Sequence, residues 1–124
     1  MQKYLKLTLF VFILSFVISC GVSMLPSEVN TLLTKSTVSK LILKAQADED
    51  LQTNKCKLLV KGRSYNAPPG FSVSSDIKNA AIGIDDWVKI DGGNSYSIIT
   101  YKWIPIDNDG GSQLYVEFDT LLYK

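Results

Sequence analysis

Apolar residues in this chain recur at two periods, two and three to four, apart from one unbroken run near the start. The period of two appears in Lys55–Tyr65, where Cys56, Leu58 and Val60 alternate with Lys57, Leu59 and Lys61. One face of that segment is apolar and the other basic, as a half-buried strand requires. It appears again in 112–123, where Leu114, Val116, Phe118 and Leu122 are expected to face in and Tyr115, Glu117, Asp119 and Tyr123 out. Tyr96–Ile106 is apolar on both faces and rich in Ile, Tyr, Trp and Thr, which suits a central strand fading at Pro105. The longer period appears in Ser75–Asp91, where Ile77, Ala80, Ala81, Ile84, Trp87 and Val88 share one helical face. Ser74 or Ser75 suits the start of that helix, and Gly92-Gly93 suits a left-handed end.

Three breaks divide these segments. Asp48-Glu49-Asp50 reads as an acidic turn, and it favours a strand over 38–47 ahead of it. Asn66-Ala67-Pro68-Pro69-Gly70 is a loop, because two prolines supply no backbone donors. Asp107-Asn108-Asp109-Gly110-Gly111 is a hairpin turn. The order strand, strand, helix, strand, strand predicts an α+β domain over 38–124. Its expected architecture is a small, mainly antiparallel sheet of about four strands with one helix on one face. Residues 20–37, mixed in Ser, Pro, Thr and Asn, read as a tether, with one or two helical turns near Ser27.

The unbroken run is Leu7–Ile18, preceded by Lys3 and Lys6. A basic stretch followed by about 12 uncharged residues suits a secretory signal, whereas a spanning helix needs roughly 20. Removing it changes the net charge from +1 to −1, since both lysines are lost. Neither value attracts nucleic acid.

The run ends in Val17-Ile18-Ser19-Cys20, which resembles the lipobox of bacterial lipoproteins. The resemblance covers four positions, in the right context. It implies diacylglycerol on the Cys20 thiol, cleavage before Cys20 and a signal peptide of 1–19. The protein would then meet the membrane through acylated Cys20 in the cell envelope. Gly21 rather than Asp after the cysteine is similar to proteins of the outer membrane, facing the periplasm. A weaker resemblance joins Ala80–Ile99 to small α+β outer-membrane lipoproteins such as the surface-stress sensor of the Rcs phosphorelay. That family carries two disulfides in its domain; this domain offers only Cys56, so stress signalling is not implied.

The chain has two cysteines and no histidine. Lacking histidine removes the commonest general base and transition-metal ligand. If Cys20 is acylated, Cys56 has no partner and reads as a small buried hydrophobe. The alternative is a secreted soluble domain with a Cys20–Cys56 disulfide. Asp107, Asn108 and Asp109 resemble the start of a calcium loop, but position 12 is Phe118 and the pattern fails. No metal or cofactor is expected. An enzyme would need two of Asp85, Asp91, Asp107, Asp119 and Glu117 to converge in a cleft. Lys55, Lys57, Lys61 and Arg63 form a local basic stripe suited to a polyanion, or simply to solvent. Tyr101, Trp103, Tyr115 and Tyr123 form a candidate patch for an unidentified envelope protein or polymer. The expectation is a non-catalytic envelope protein.

Overall fold

The computed structural model describes residues 26–106 and 111–124. The leader, Cys20 and the turn 107–110 lie outside them. The order is α1 (Pro26–Ser36), β1 (Lys40–Leu41), α2 (Lys44–Gln52), β2 (Cys56–Asn66), α3 (Val73–Asp91), β3 (Ser95–Ile106) and β4 (Gly111–Tyr123). The fold is α+β. The four strands form one sheet in the order β1-β3-β4-β2. β4 pairs antiparallel with both β2 and β3, and β1 pairs parallel with β3, so the sheet is mixed.

β3 and β4 are the two inner strands, so the expected central strand has a neighbour on each side, although one of them is brief. β1 reaches only Ser95 and Tyr96, so from Ser97 onward the outer edge of β3 has no strand beside it among the described residues. A bulge between Ile98 and Thr100 and the missing donor of Pro105 make that edge irregular.

Helices cover both faces, not one. α3 lies on the face of Leu114, Val116 and Phe118, and buries Ile77, Ala80, Ala81, Ile84 and Val88 against them. Its expected apolar face is the observed one. It begins two residues early, however: Ser72 is the cap, its Oγ accepting from the Ser75 N–H at 3.1 Å. Gly92 ends it with φ of 80°, where an L side chain would be strained. Ile82 and Ile90, which fall off the main face, are exposed.

α1 shares that face. Val29 and Leu33 are fully buried in the same cluster, so from Pro26 onward the segment read as a tether belongs to the folded body. Its threonines had argued for a loop. Instead Thr31, Thr34 and Thr37 donate to the carbonyls of Ser27, Asn30 and Leu33, four residues back, at 2.7 to 2.9 Å.

The strand expected over 38–47 is two residues of β1, followed by α2. Asp48-Glu49-Asp50 lies inside α2 and is not a turn. α2 covers part of the second face, where Ile42, Ala47, Cys56 and Leu121 form a separate small core. Hence Asp119 is buried, Leu121 rather than Leu122 is fully buried, and Tyr123 packs beside this core.

Gly83 sits where α3 crosses the Tyr65 ring, and a Cβ there would lie 2.1 Å from Cε1 and Cζ. Replacing a helical Gly by Ala normally stabilises by up to about 1 kcal/mol. Here overpacking, typically about 1–3 kcal/mol, opposes that gain. Gly83→Ala should lower stability in urea denaturation by about 1 kcal/mol in the native background, yet raise it in a Tyr65→Ala background. A stabilised Gly83→Ala single variant would contradict the packing described.

Candidate functional site

The carboxylates that an enzyme would need are each engaged at separate places. Asp91, at the end of α3, receives the Arg63 guanidinium, with Nε 3.0 Å from Oδ2, and the Thr120 hydroxyl at 2.7 Å. Arg63 Nη2 is bonded to its other oxygen. Asp119, on the second face, accepts from the Gly62 N–H at 2.9 Å and lies 3.6 Å from Lys44 Nζ. Asp85 accepts the N–H groups of Val38 and Ser39 at 2.8 and 2.9 Å, which fixes the chain leaving α1. Glu117 accepts from the Tyr115 hydroxyl. Asp107 lies outside the described residues. No two of the described four share a partner, and no group of three potential metal-binding acids or cysteines occurs among the described residues.

Two further buried carboxylates escaped the sequence reading. Asp50 accepts from the Tyr123 hydroxyl at 2.6 Å and Gln46 Nε2 at 2.9 Å. Asp76 accepts from the Gly70 N–H at 2.6 Å and from Ser112 Oγ at 3.3 Å. Neither position stands out in the chain, because an acid in an acidic run or a first helical turn normally faces solvent.

The proposed aromatic patch is split by the sheet. Tyr101 and Trp103 pair with Val116 and Leu114 and so share the face of α1 and α3. They pack edge to face at 5.7 Å between centroids, against the main core. Trp103 Nε1 is buried with no hydrogen-bond partner among the described residues. Tyr115 and Tyr123 are on the opposite face. Tyr123 is held by α2 through Asp50, which leaves Tyr115 with Lys102 Nζ 5.1 Å from its ring centroid.

The basic stripe is broken as well. Bulges between Leu58 and Val60 and between Val60 and Arg63 shift the alternation of β2, with Gly62 at φ of 67°. Lys55, Lys57 and Lys61 stay exposed, whereas Arg63, in phase with Lys57 on the α3 face, is half-buried under α3. There its guanidinium carbon lies 4.0 Å from the Trp87 ring centroid. A period of two carries no sign that Asp91 and Trp87 would take up this one cation.

A groove of about 300 Å³ follows the free edge of β3, lined by Asn30, Leu41–Lys44 and Ile98–Tyr101. It lies where further residues of β1 would have continued. At the far end of the fold from Trp103, Cys56 is buried with 6% exposure beneath α2 and beside Tyr123.

The two cysteines can be related through α1. Asn30 lies beside Tyr101 in the groove, and Thr37 Oγ1, just past the helix, is 3.0 Å from the Tyr96 hydroxyl. α1 therefore runs antiparallel to β3, and Pro26 falls near the level of Trp103. That level is Leu114 on β4, nine residues from Tyr123, the partner of Cys56. Nine strand residues span about 30 Å. From Pro26, the chain back to Cys20 extends at most about 22 Å, and a disulfide bridges Cα atoms about 6 Å apart. A Cys20–Cys56 bond would need that full extension along the sheet and, in addition, a crossing from the α1 face to the α2 face.

Sequence reasoning also missed Phe71. It belongs to no periodic element, and its only signal is an aromatic directly after Pro68-Pro69-Gly70. It is fully exposed. No helix among the described residues is long and apolar enough to cross a membrane. Comparison with family models, curated proteins and solved structures finds no match to this chain.

Two outcomes follow from these placements. Burial raises the Asp91 pKa, but the Arg63 and Thr120 hydrogen bonds and the Arg63 charge outweigh it, and the net shift is downward from 3.8. The Tyr123 hydroxyl, then Gln46, lower that of Asp50. A carboxylate with a lowered folded pKa stabilises the fold fully above its unfolded pKa and loses that contribution as pH falls through the folded one. Stability in urea should therefore decline below about pH 4, and Asp91→Asn should flatten that decline. Asp91→Ala at pH 7 should cost about 3 kcal/mol by leaving Arg63 unpaired. Second, in a Cys20→Ser chain the Cys56 thiol should react with an aromatic disulfide reagent at least about tenfold slower when folded than in denaturant. Equal rates would mean that α2 does not cover it.

Proposed function

We propose that this is a lipid-anchored protein of the bacterial cell envelope. Its Cys20 carries the acyl chains, and its α+β domain binds an envelope protein or polymer without catalysing a reaction. The observation that carries this reading is the uncharged run Leu7–Ile18 ending in Val17-Ile18-Ser19-Cys20. Two acyl chains anchor stably where one does not, because each buried CH₂ contributes about 0.8 kcal/mol. The Gly21 that follows favours the outer membrane, with the domain in the periplasm.

The geometry of the domain supports the anchor over the disulfide alternative. Cys56 is buried on the far side of the sheet, and the residues between Cys20 and Pro26 would need full extension toward it. It supports binding over carboxylate catalysis as well. Asp85, Asp91, Asp119 and Glu117 are each committed to a structural hydrogen bond. An acid that holds a backbone N–H or an arginine is poorly placed to shuttle a proton.

The test is metabolic labelling with palmitate in a bacterial host, followed by membrane fractionation. The native chain should take up label and sediment with membranes, and Cys20→Ala should lose both. Label retained by Cys20→Ala would end the lipid-anchor reading.

A further inference from the structure

The loop from β2 to α3 is braced on both sides of an uncovered aromatic ring. Ala67 is fully buried, and its N–H donates to the Leu114 carbonyl at 2.9 Å. Asn79 Nδ2 donates to the Pro68 carbonyl at 3.0 Å. The Gly70 N–H donates to buried Asp76 at 2.6 Å, and Gly70 lies so close to α3 that a Cβ would sit 2.5 Å from Ser75 Cβ. Ser72, the next residue but one, caps α3. Between these fixed points the Phe71 ring is 107% exposed. A slack loop could fold an aromatic inward; this loop holds it in water, at the cost of an exposed apolar surface.

Phe71 projects from the end of the domain at which α1 begins. Asp76 bonds Ser112, which pairs with Pro105, and Pro26 lies near the level of Trp103, two residues away along β3. α1 and α3 share the same face of the sheet. Five residues, Gly21 to Leu25, separate Cys20 from α1. At most about 22 Å of chain spans that interval, less than the width of a domain of this size, about 26 Å from its radius of gyration. An anchor at Cys20 therefore keeps this end, and not the end of Asn54 and Cys56, next to the bilayer. Glu28 and Lys78, both exposed on the early turns of α1 and α3, offset each other in charge.

We infer that Phe71 enters the interfacial region of the lipid bilayer and, with acylated Cys20, holds the domain upright on the membrane. The inference rests on the lipid-anchor reading. Two attachment points, one covalent and one apolar, fix the tilt of the domain, which the anchor alone leaves free. The surface around Asn54 and Lys124 then faces away from the membrane.

The test uses the full acylated chain with Cys56→Ala, reconstituted in phosphatidylcholine vesicles. A neutral bilayer leaves apolar contact as the tested effect, since the hairpin connection carries Asp107 and Asp109. An environment-sensitive fluorophore is attached at Ser74→Cys, which keeps Phe71, or at Asn54→Cys. Mass spectrometry reports acylation independently. The Ser74 label should shift to the blue and be quenched by shallow spin-labelled lipids at least about twofold more than the Asn54 label, and adding Phe71→Ser should at least about halve the difference; a difference unchanged by Phe71→Ser would overturn the membrane contact. Equal quenching at both sites in a chain shown to be acylated would overturn the membrane contact and leave the anchor standing. A chain without acyl groups would overturn both.

Discussion

The bond between Arg63 and Asp91 fixes where the last turn of α3 lies on the sheet. Arg63 comes from the outer strand β2, Asp91 from the last turn of α3, and Thr120 from the inner strand β4 adds a third donor. β2 reaches the pair through two bulges. The first puts Val60 opposite Thr120, off the face of Cys56 and Leu58, and the second keeps Arg63 opposite Phe118, on the face that Lys57 takes opposite Leu122, with Gly62 at a positive φ beside it. Asp119 then holds the bulge in place from the other face through the Gly62 N–H. Thus two carboxylates on opposite faces fix one irregularity of one strand. A buried pair of this kind adds little net stability over well-packed apolar residues, but losing one partner is expensive. Its value here is positional: it sets the register at which α3 crosses the sheet.

That crossing in turn determines what lies beside it. With α3 set over Leu114, Val116 and Phe118, space remains toward β3, and α1 fills it with Val29 and Leu33. Asp85 of α3 then captures the Val38 and Ser39 N–H groups, so the chain leaves α1 at a fixed angle. It enters the sheet beside Ser95 and Tyr96, parallel to β3, and leaves after two residues. The mixed character of the sheet and the open groove along β3 both follow from that short visit. Tyr96 marks the junction: its ring packs edge to face on Phe118, its hydroxyl meets Thr37, and burial pushes its pKa up to about 12.

The parts of this fold that were legible in the chain are those governed by local rules. α3 combines a helical apolar stripe with a left-handed glycine at its end, β3 is dense in strand-forming residues, and β4 alternates beside it. The parts that were not legible depend on contacts between distant residues. α1 is short, and its threonines favour loops unless a packed partner makes the helix worthwhile. α2 has no capping side chain, since Leu43 occupies that position, and too few apolar residues to show a period. Its reason for folding is the small core of Ile42, Cys56 and Leu121, which no local pattern reveals. The candidate site was the least legible part. Alternation along β2 does not show that Asp91 and Trp87 take up the Arg63 guanidinium, and it does not show that Tyr101, Trp103, Tyr115 and Tyr123 divide between the two faces.

The docking of α1 alters the meaning of the residues before it. Read as a tether, 20–37 would let the domain range widely above a membrane. With α1 folded into the core, only Gly21–Leu25 remain between the proposed acyl anchor and a rigid body. A linker that short restricts orientation as well as distance. The same brevity bears on the redox question, because at most about 22 Å of chain joins Cys20 to the start of α1, while Cys56 is buried beside Tyr123 on the other face of the sheet. One packing event, Val29 and Leu33 entering the core beneath α3, therefore acts on both claims to the Cys20 thiol. It works against the disulfide by distance, and it makes the anchor, if present, a determinant of which end of the domain meets the lipid.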